Sequence, residues 1–175
     1  MKRISLVTSD KAYSFLRIPL PSSCIPMTIE EAIKQPKFKN AYQKVVINLL
    51  YTANWLQAAQ QDFFKTFGIT SSQFNMLRIL RGQHPIKISG AEIKSRMLDK
   101  NSDIPRLLER LVKKKLISKV PCSNDKRAAD ILITRQGLEV LSKIDPHIDD
   151  SEKTHIQLSK DEAFLLSNLL DKCRG

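Results

Sequence analysis

The stretch that decides the fold runs from residue 89 to residue 127 and reads SGAEIKSRMLDKNSDIPRLLERLVKKKLISKVPCSNDKR. It opens with Ser89 followed three residues later by Glu92, which is the spacing of a helix-capping box. A short helix is therefore predicted from this point, ending near Leu98.

A second helix is predicted after a turn at residues 99–101. Between residues 102 and 114 the apolar residues recur with helical spacing, and basic residues occupy the opposite side. Ser102 is expected to cap this helix, which leaves Pro105 in the first turn, where an N–H has no partner within the helix. Two helices joined by a tight turn form a helix-turn-helix.

A β-hairpin is predicted next, with strands at residues 116–120 and 129–134. The polar loop between them contains the turn formers Asn124 and Asp125 and ends in Lys126 and Arg127. The predicted fold class is therefore mainly α-helical with a small β-hairpin wing, in other words a winged helix-turn-helix.

Amphipathic helices are predicted on both sides of this module. One covers residues 38–64, and part of its apolar stripe is expected to face another subunit, although packing on the C-terminal helices of the same chain is the alternative. Thr70 with Gln73 predicts a capped helix after it. Thr134 is expected to cap a helix that Pro146 kinks or ends, and Ser159 begins a last helix.

These elements predict four regions along the chain. They are an N-terminal arm, flexible or loosely packed, at 1–35, an N-terminal dimerisation helix at 36–68, the winged module at 69–134, and C-terminal dimerisation helices at 135–175. The chain has no internal repeat.

Composition narrows the possible functions. A formal net charge of +11 favours a polyanionic partner, because neutralising phosphates releases counterions. No apolar stretch approaches the roughly 20 residues that span a bilayer, and the first residues do not form a secretory signal, so we expect a cytoplasmic protein without membrane contact. The three cysteines lack CxxC spacing, which argues against disulfides and structural zinc. No phosphate loop, nucleophile turn or metal-ligand cluster is present, so no catalytic residue, metal or cofactor is predicted.

Double-stranded DNA is the partner that the module predicts. Only the first turns of the second helix approach base edges, and Arg106 suits a bidentate contact with guanine. The predicted DNA-binding residues are Ser89, Lys100, Asn101, Ser102, Asp103, Pro105, Arg106, Arg110, Asn124, Asp125, Lys126 and Arg127. Asp125 is expected to orient an arginine by a charge-assisted hydrogen bond. A solvated basic face is the alternative interpretation.

The module resembles the MarR family (multiple antibiotic resistance regulators). The similarity is carried by the runs at 89–93, 106–114, 124–128 and 133–137, above all by Asp-x-Arg in the wing followed by Ile-Thr-x-x-Gly, and it covers about residues 36–172. The resemblance implies a homodimer whose first and last helices interlock. Its two winged modules would read a pseudo-palindromic operator, with Arg127 in the minor groove. Lys115 departs from the family, which commonly has Gly before the first wing strand, and Pro105 is unusual near the DNA.

The resemblance also implies a small-molecule effector site. Its candidate lining residues are Tyr51, Trp55, Phe63, Phe64 and His84, with ordinary core packing as the alternative. Some relatives sense oxidants through cysteine, which directs attention to Cys24 and Cys122. The sequence thus predicts a dimeric, sequence-specific transcription regulator acting as a repressor, and the alternative is a winged helix that coats DNA non-specifically or binds a protein.

Overall fold

The computed structural model describes residues 27–121 and 129–175 of the chain. Within these ranges the elements are α1 (Ile29–Ala32), α2 (Ala41–Lys65), α3 (Ser71–Gln83), β1 (Ile88–Ser89), α4 (Gly90–Arg96), α5 (Ile104–Lys113), β2 (Ile117–Pro121), β3 (Ala129–Ile133), α6 (Arg135–His155) and α7 (Lys160–Arg174). Contacts divide the chain into two compact units, Met1–Asn54 and Trp55–Gly175, and α2 runs across the division. None of the described helices is long and apolar enough to cross a membrane.

The described part of the first unit contains a helix that the sequence prediction missed. α1 lies inside the predicted arm and begins with a capping box, in which the Thr28 hydroxyl accepts from the Glu31 N–H and the Glu31 carboxylate accepts from the Thr28 N–H. Four residues give no apolar periodicity, so the pattern does not stand out. Lys44 pairs with Glu30 at 2.6 Å and lowers the pKa of that carboxyl.

The second unit is built around one core. Its members come from α3, α4, α5, α6, the end of α2 and the strands, and the fully buried ones are Met76, Leu77, Leu80, Ile93, Met97, Leu111, Ile131, Leu141 and Ile144. The helical spacing in the sequence placed most of these on inner faces. Burying them supplies the main favourable free energy for holding the helices against the sheet.

The sheet has three antiparallel strands in the order β1-β3-β2. The prediction of a two-stranded hairpin was incomplete, because Ile88 pairs with Ile131 and adds β1 to the edge of β3. Both side chains are buried, so the short strand gains apolar burial as well as backbone hydrogen bonds. Three helices followed by strands β2 and β3, with β1 before α4, form the predicted winged helix-turn-helix.

The start of α5 differs from the prediction. The N-cap is Asp103, whose carboxylate accepts the Arg106 N–H at 3.1 Å, and not Ser102. The Ser102 hydroxyl instead donates to the carboxylate of Asp99 at 3.1 Å, which removes it from the capping position. Pro105 still lies in the first turn, as expected, where its missing N–H breaks no helical hydrogen bond.

The end of α5 is a Schellman motif. The Leu116 N–H donates to the carbonyl of Leu111 at 3.0 Å, and the Lys115 N–H donates to the carbonyl of Val112 at 2.8 Å. Lys115 has φ 59°, in the left-handed region that favours glycine. The helix therefore ends where the family's glycine would end it, with a lysine in that conformation.

The C-terminal helices begin as predicted. The Thr134 hydroxyl accepts the Gly137 N–H and the Ser159 hydroxyl accepts the Glu162 N–H. Hydrogen bonds from Ser159 to the Glu162 carboxylate lower the pKa of that group.

Pro146 was predicted to kink or to end its helix, and it does not end it, because α6 continues to His155. Pro146 and Ser142 are both exposed, so the carbonyl that loses its helical partner lies on the solvent side. Burial of Leu141 and Ile144 holds the helix on the core through this interruption.

Candidate nucleic-acid interface

α5 presents a buried face and a basic face. Ile104, Leu108 and Leu111 are buried, whereas Arg106 and Arg110 are exposed on the other side. Among the described residues neither arginine forms an ion pair, although α4 holds Arg96 against Glu92 at 2.6 Å. Both guanidinium groups therefore keep their hydrogen-bond donors available for an anionic partner.

Asp99 organises the turn that leads into α5. Its carboxylate accepts from the Asn101 N–H at 2.9 Å and from the Ser102 hydroxyl at 3.1 Å. The ammonium of Lys100 donates to the Ser95 carbonyl at 2.6 Å. The turn is thus fixed by its own hydrogen bonds, which pre-organises the predicted reading residues.

Three other predicted DNA-binding residues lie at the starts of α4 and α5. Ser89 caps α4, since its hydroxyl accepts the Glu92 N–H at 3.1 Å. The reciprocal half of that capping box is absent, because the Glu92 carboxylate pairs with Arg96 instead. One carboxylate oxygen of Asp103 accepts the Arg106 N–H and so caps α5. Pro105 is exposed in the first turn of the same helix.

The wing is described only up to its paired strand ends. β2 and β3 remain in register from Ile117 opposite Ile133 to Pro121 opposite Ala129. The predicted wing residues Asn124, Asp125, Lys126 and Arg127, together with Cys122, lie outside the described residues, as does Cys24 of the arm.

A cavity of about 790 Å³ lies beside the turn in the second unit. Phe63 and Phe64, two of the predicted effector-site residues, line it, and so do Asp99, Lys100 and Asn101 of the turn. The two phenylalanines and the turn that leads into α5 therefore line the same cavity.

The remaining predicted effector residues occupy other positions. Trp55 packs edge-on against His155, with ring centroids 6.1 Å apart, and His84 is the C-cap of α3; neither lines this cavity. Tyr51 belongs to the first unit and is exposed.

Sequence reasoning missed three residues that shape this region: Asn75, Arg78 and Asp99. Asn75 accepts the Leu98 N–H at 3.0 Å through its side-chain oxygen and so ties α3 to the turn. Arg78 lines the cavity with its guanidinium carbon 5.8 Å from the centre of the Phe74 ring. Asp99 could have been found by its Asx-turn pattern, but the Asn75 contact joins residues 23 apart in sequence and has no local signal.

Comparison with known proteins finds a family whose members resemble this winged module. Residues 69–129, from the start of α3 to the beginning of β3, match the model of the MarR family. The winged module of this chain is therefore similar to that of the MarR family, as the sequence predicted. This similarity agrees with the predicted class, a DNA-binding transcriptional regulator.

Known proteins of this MarR type share the architecture at low identity. The HTH-type transcriptional regulator PecS of Dickeya dadantii (strain 3937) is 24% identical over 127 residues, which are 65% of this chain and 76% of PecS. A mutant of MarR from E. coli, solved in complex with operator DNA, is 23% identical with a TM-score of 0.65, over 77% of this chain and 99% of that one. PcaV of Streptomyces coelicolor, solved with its natural ligand, is 24% identical with a TM-score of 0.61, over 70% and 88% of the two chains.

Proposed function

We propose that this protein is a homodimeric repressor of the MarR type that reads a pseudo-palindromic operator with α5 of each protomer. The observation that carries this proposal is the state of Arg106. It is exposed in the first turn of α5, unpaired among the described residues, and its backbone N–H is fixed by Asp103. A guanidinium at that place on a recognition helix can donate two hydrogen bonds to guanine in the major groove.

The dimer is supported by two helices with unburied apolar faces. α7 has no buried residue along its whole length. Its large apolar residues Phe164, Leu165 and Leu169 are all exposed. On α2, Tyr42 and Leu50 are likewise exposed. Apolar faces of this size are stable in water when another copy covers them, and a two-fold dimer would present two α5 helices to one operator.

Direct readout by Arg106 is tested with DNA selected from random duplexes by the purified protein. We expect an inverted repeat with half-sites about one helical turn apart. Arg106→Ala should weaken binding to the selected site by about 1–3 kcal/mol and relax the preference at one base pair of each half-site. Arg127→Ala in the wing should weaken binding to all sequences and reduce the salt dependence.

A charge-matched control separates these effects from the change in net charge. Lys153→Ala removes an exposed lysine of α6 and should leave both affinity and salt dependence near wild type. If no sequence is enriched, or if Arg106→Ala acts equally on every sequence, the protein coats DNA or binds another protein instead.

We further propose that a small aromatic acid in the cavity beside the turn releases the operator. The aromatic wall contains Phe63, Phe64 and Phe74, and Arg78 and Lys100 supply positive charge at the same cavity. An occupant there contacts the turn that sets the direction of α5, so its binding would favour one orientation of that helix. Benzoate should lower operator affinity of the wild type, and Arg78→Gln should lose this response without losing the operator.

A further inference from the structure

A second, strongly basic cleft lies in the same unit, away from the first turn of α5. It has a volume of about 650 Å³ and is bounded by the end of α2, the turn after it, the start of α3 and the last turns of α5. Its lining includes Lys65, Gln73, Arg110, Lys113 and Lys114. No acidic residue is among the described residues that line it.

The four cations of this cleft lack the counter-charges that other basic residues have. In the described part of the chain, Lys65, Arg110, Lys113 and Lys114 form no ion pair, whereas Arg81 pairs with Asp145 and Arg96 with Glu92, each at 2.6 Å. Like charges gathered around a cleft of low dielectric raise the local positive potential and attract a counter-ion. The positive charge of the cleft is therefore not neutralised by described acidic side chains, unlike the charge of the two paired arginines.

One of these cations is held in place by the fold. The ammonium of Lys114 donates to the Gly68 carbonyl and, at 3.2 Å, to the side-chain oxygen of Gln73. Gln73 is only 2% exposed, and its oxygen also accepts the Thr70 N–H at 3.2 Å. A buried amide and a tethered ammonium pre-organise the site in a way that freely moving surface lysines do not.

We propose that this cleft is a binding site for a small phosphorylated polyanion. Arg110 is the one predicted DNA-binding residue among its described lining residues. The volume exceeds that of a single phosphate group and lies in the range of small-molecule sites, and Ile69 gives the lining an apolar component. The cations come from two helices, α2 and α5, so a ligand with several charged oxygens can contact both. Because its binding is measured without DNA, the site does not depend on the proposed operator recognition.

The test uses inorganic pyrophosphate and the full-length protein in isothermal titration calorimetry, with ionic strength held constant by exchange against chloride. We expect saturable binding, one pyrophosphate per chain, with a dissociation constant below about 1 mM. Lys65→Gln and Lys113→Gln should each weaken it by about tenfold. The control Lys153→Gln removes an exposed lysine from the last turn of another helix, and this lysine forms no ion pair with the described residues. The variant should bind pyrophosphate like the wild type.

The outcomes separate a ligand site from general charge and from DNA backbone binding. Absence of saturable heat, or equal weakening by Lys65→Gln and Lys153→Gln, would overturn the proposal. DNA affinity should be unchanged in Lys65→Gln, whose thermal unfolding is checked against wild type. A loss of DNA affinity in that variant, with pyrophosphate competing for the same charges, would instead assign the cleft to the nucleic acid.

Discussion

At the level of one residue, Lys115 shows how backbone conformation changes the free energy of having a side chain at a position. It occupies the left-handed position of the Schellman motif at the end of α5, with φ 59°. A residue with a Cβ is disfavoured there by about 1–2 kcal/mol, whereas glycine is not. The motif persists because Leu111 and Leu116 on either side of it are buried in the core and two carbonyls of the last turn accept hydrogen bonds.

Lys115→Gly should therefore stabilise the protein. The gain is expected to be roughly 0.5–1 kcal/mol, since relief of the backbone penalty exceeds the greater entropy of glycine in the unfolded chain. Lys115→Ala is the matched control, because it removes the same charge but retains the Cβ. Chemical denaturation that finds the alanine variant as stable as the glycine variant would contradict this account.

Gly137 makes the opposite point, because space and not φ requires the glycine. A Cβ at this position would meet the carbonyl oxygen of Leu116 and lie 2.7 Å from Cγ1 of Ile133. Gly137→Ala should cost about 3 kcal/mol in the free energy of unfolding, because backbone must move to admit the methyl group. Gly82→Ala, where nothing lies within 4 Å, should instead stabilise α3 by about 0.5–1 kcal/mol. Equal effects in urea denaturation would show that the close approach at Gly137 has no energetic consequence.

At the level of elements, helix starts followed from local side-chain chemistry and one helix end did not. Thr70, Thr134 and Ser159 cap helices as their spacing predicts. Pro146 was expected to interrupt its helix, yet α6 continues through it. A cap needs only neighbours in sequence, whereas the survival of a helix through proline depends on what the rest of that helix buries.

Pro146→Ala should stabilise α6. The substitution restores an N–H for the carbonyl of Ser142 and removes the clash with the preceding turn, which we expect to be worth about 1–3 kcal/mol. Pro105→Ala is the matched control in the first turn of α5, where no hydrogen bond is regained and the change should stay within about 0.5 kcal/mol. Thermal denaturation that finds similar changes for the two prolines would contradict the assigned difference.

At the level of the whole molecule, some large apolar residues of the described chain remain exposed. They indicate where a second copy could bind. Phe164 is 71% exposed on α7, and Ile86, between α3 and β1, is 67% exposed. The two residues are similarly accessible, but only Phe164 lies in a continuous apolar helix face, which is the surface assigned to the second copy.

Phe164→Glu should shift the protein from dimer towards monomer in sedimentation at micromolar concentration, because a charge at a buried dimer contact loses its hydration. Ile86→Glu should leave the oligomeric state unchanged. A dimer that survives Phe164→Glu, or a wild type that sediments as a monomer, would argue against α7 as the dimer contact.

The sequence by itself determined the order of the helices after α1, four of the capping interactions, the two main strands and the winged-helix class. These features depend on apolar periodicity and on side chains three or four residues apart. Such relations can be seen directly in the sequence. The basic face of α5 and the position of Arg106 on it follow from the same spacing.

Only the tertiary structure decided the features that join distant residues. Pairing of Ile88 with Ile131, the tie from Asn75 to Leu98 and the tether from Lys114 to Gly68 each connect segments far apart in the chain. Asp103 replaced Ser102 as the cap because Asp99 had already bound the serine hydroxyl, a competition between two local choices that spacing does not rank. The two cavities arise in the same way, since their walls are assembled from several helices at once.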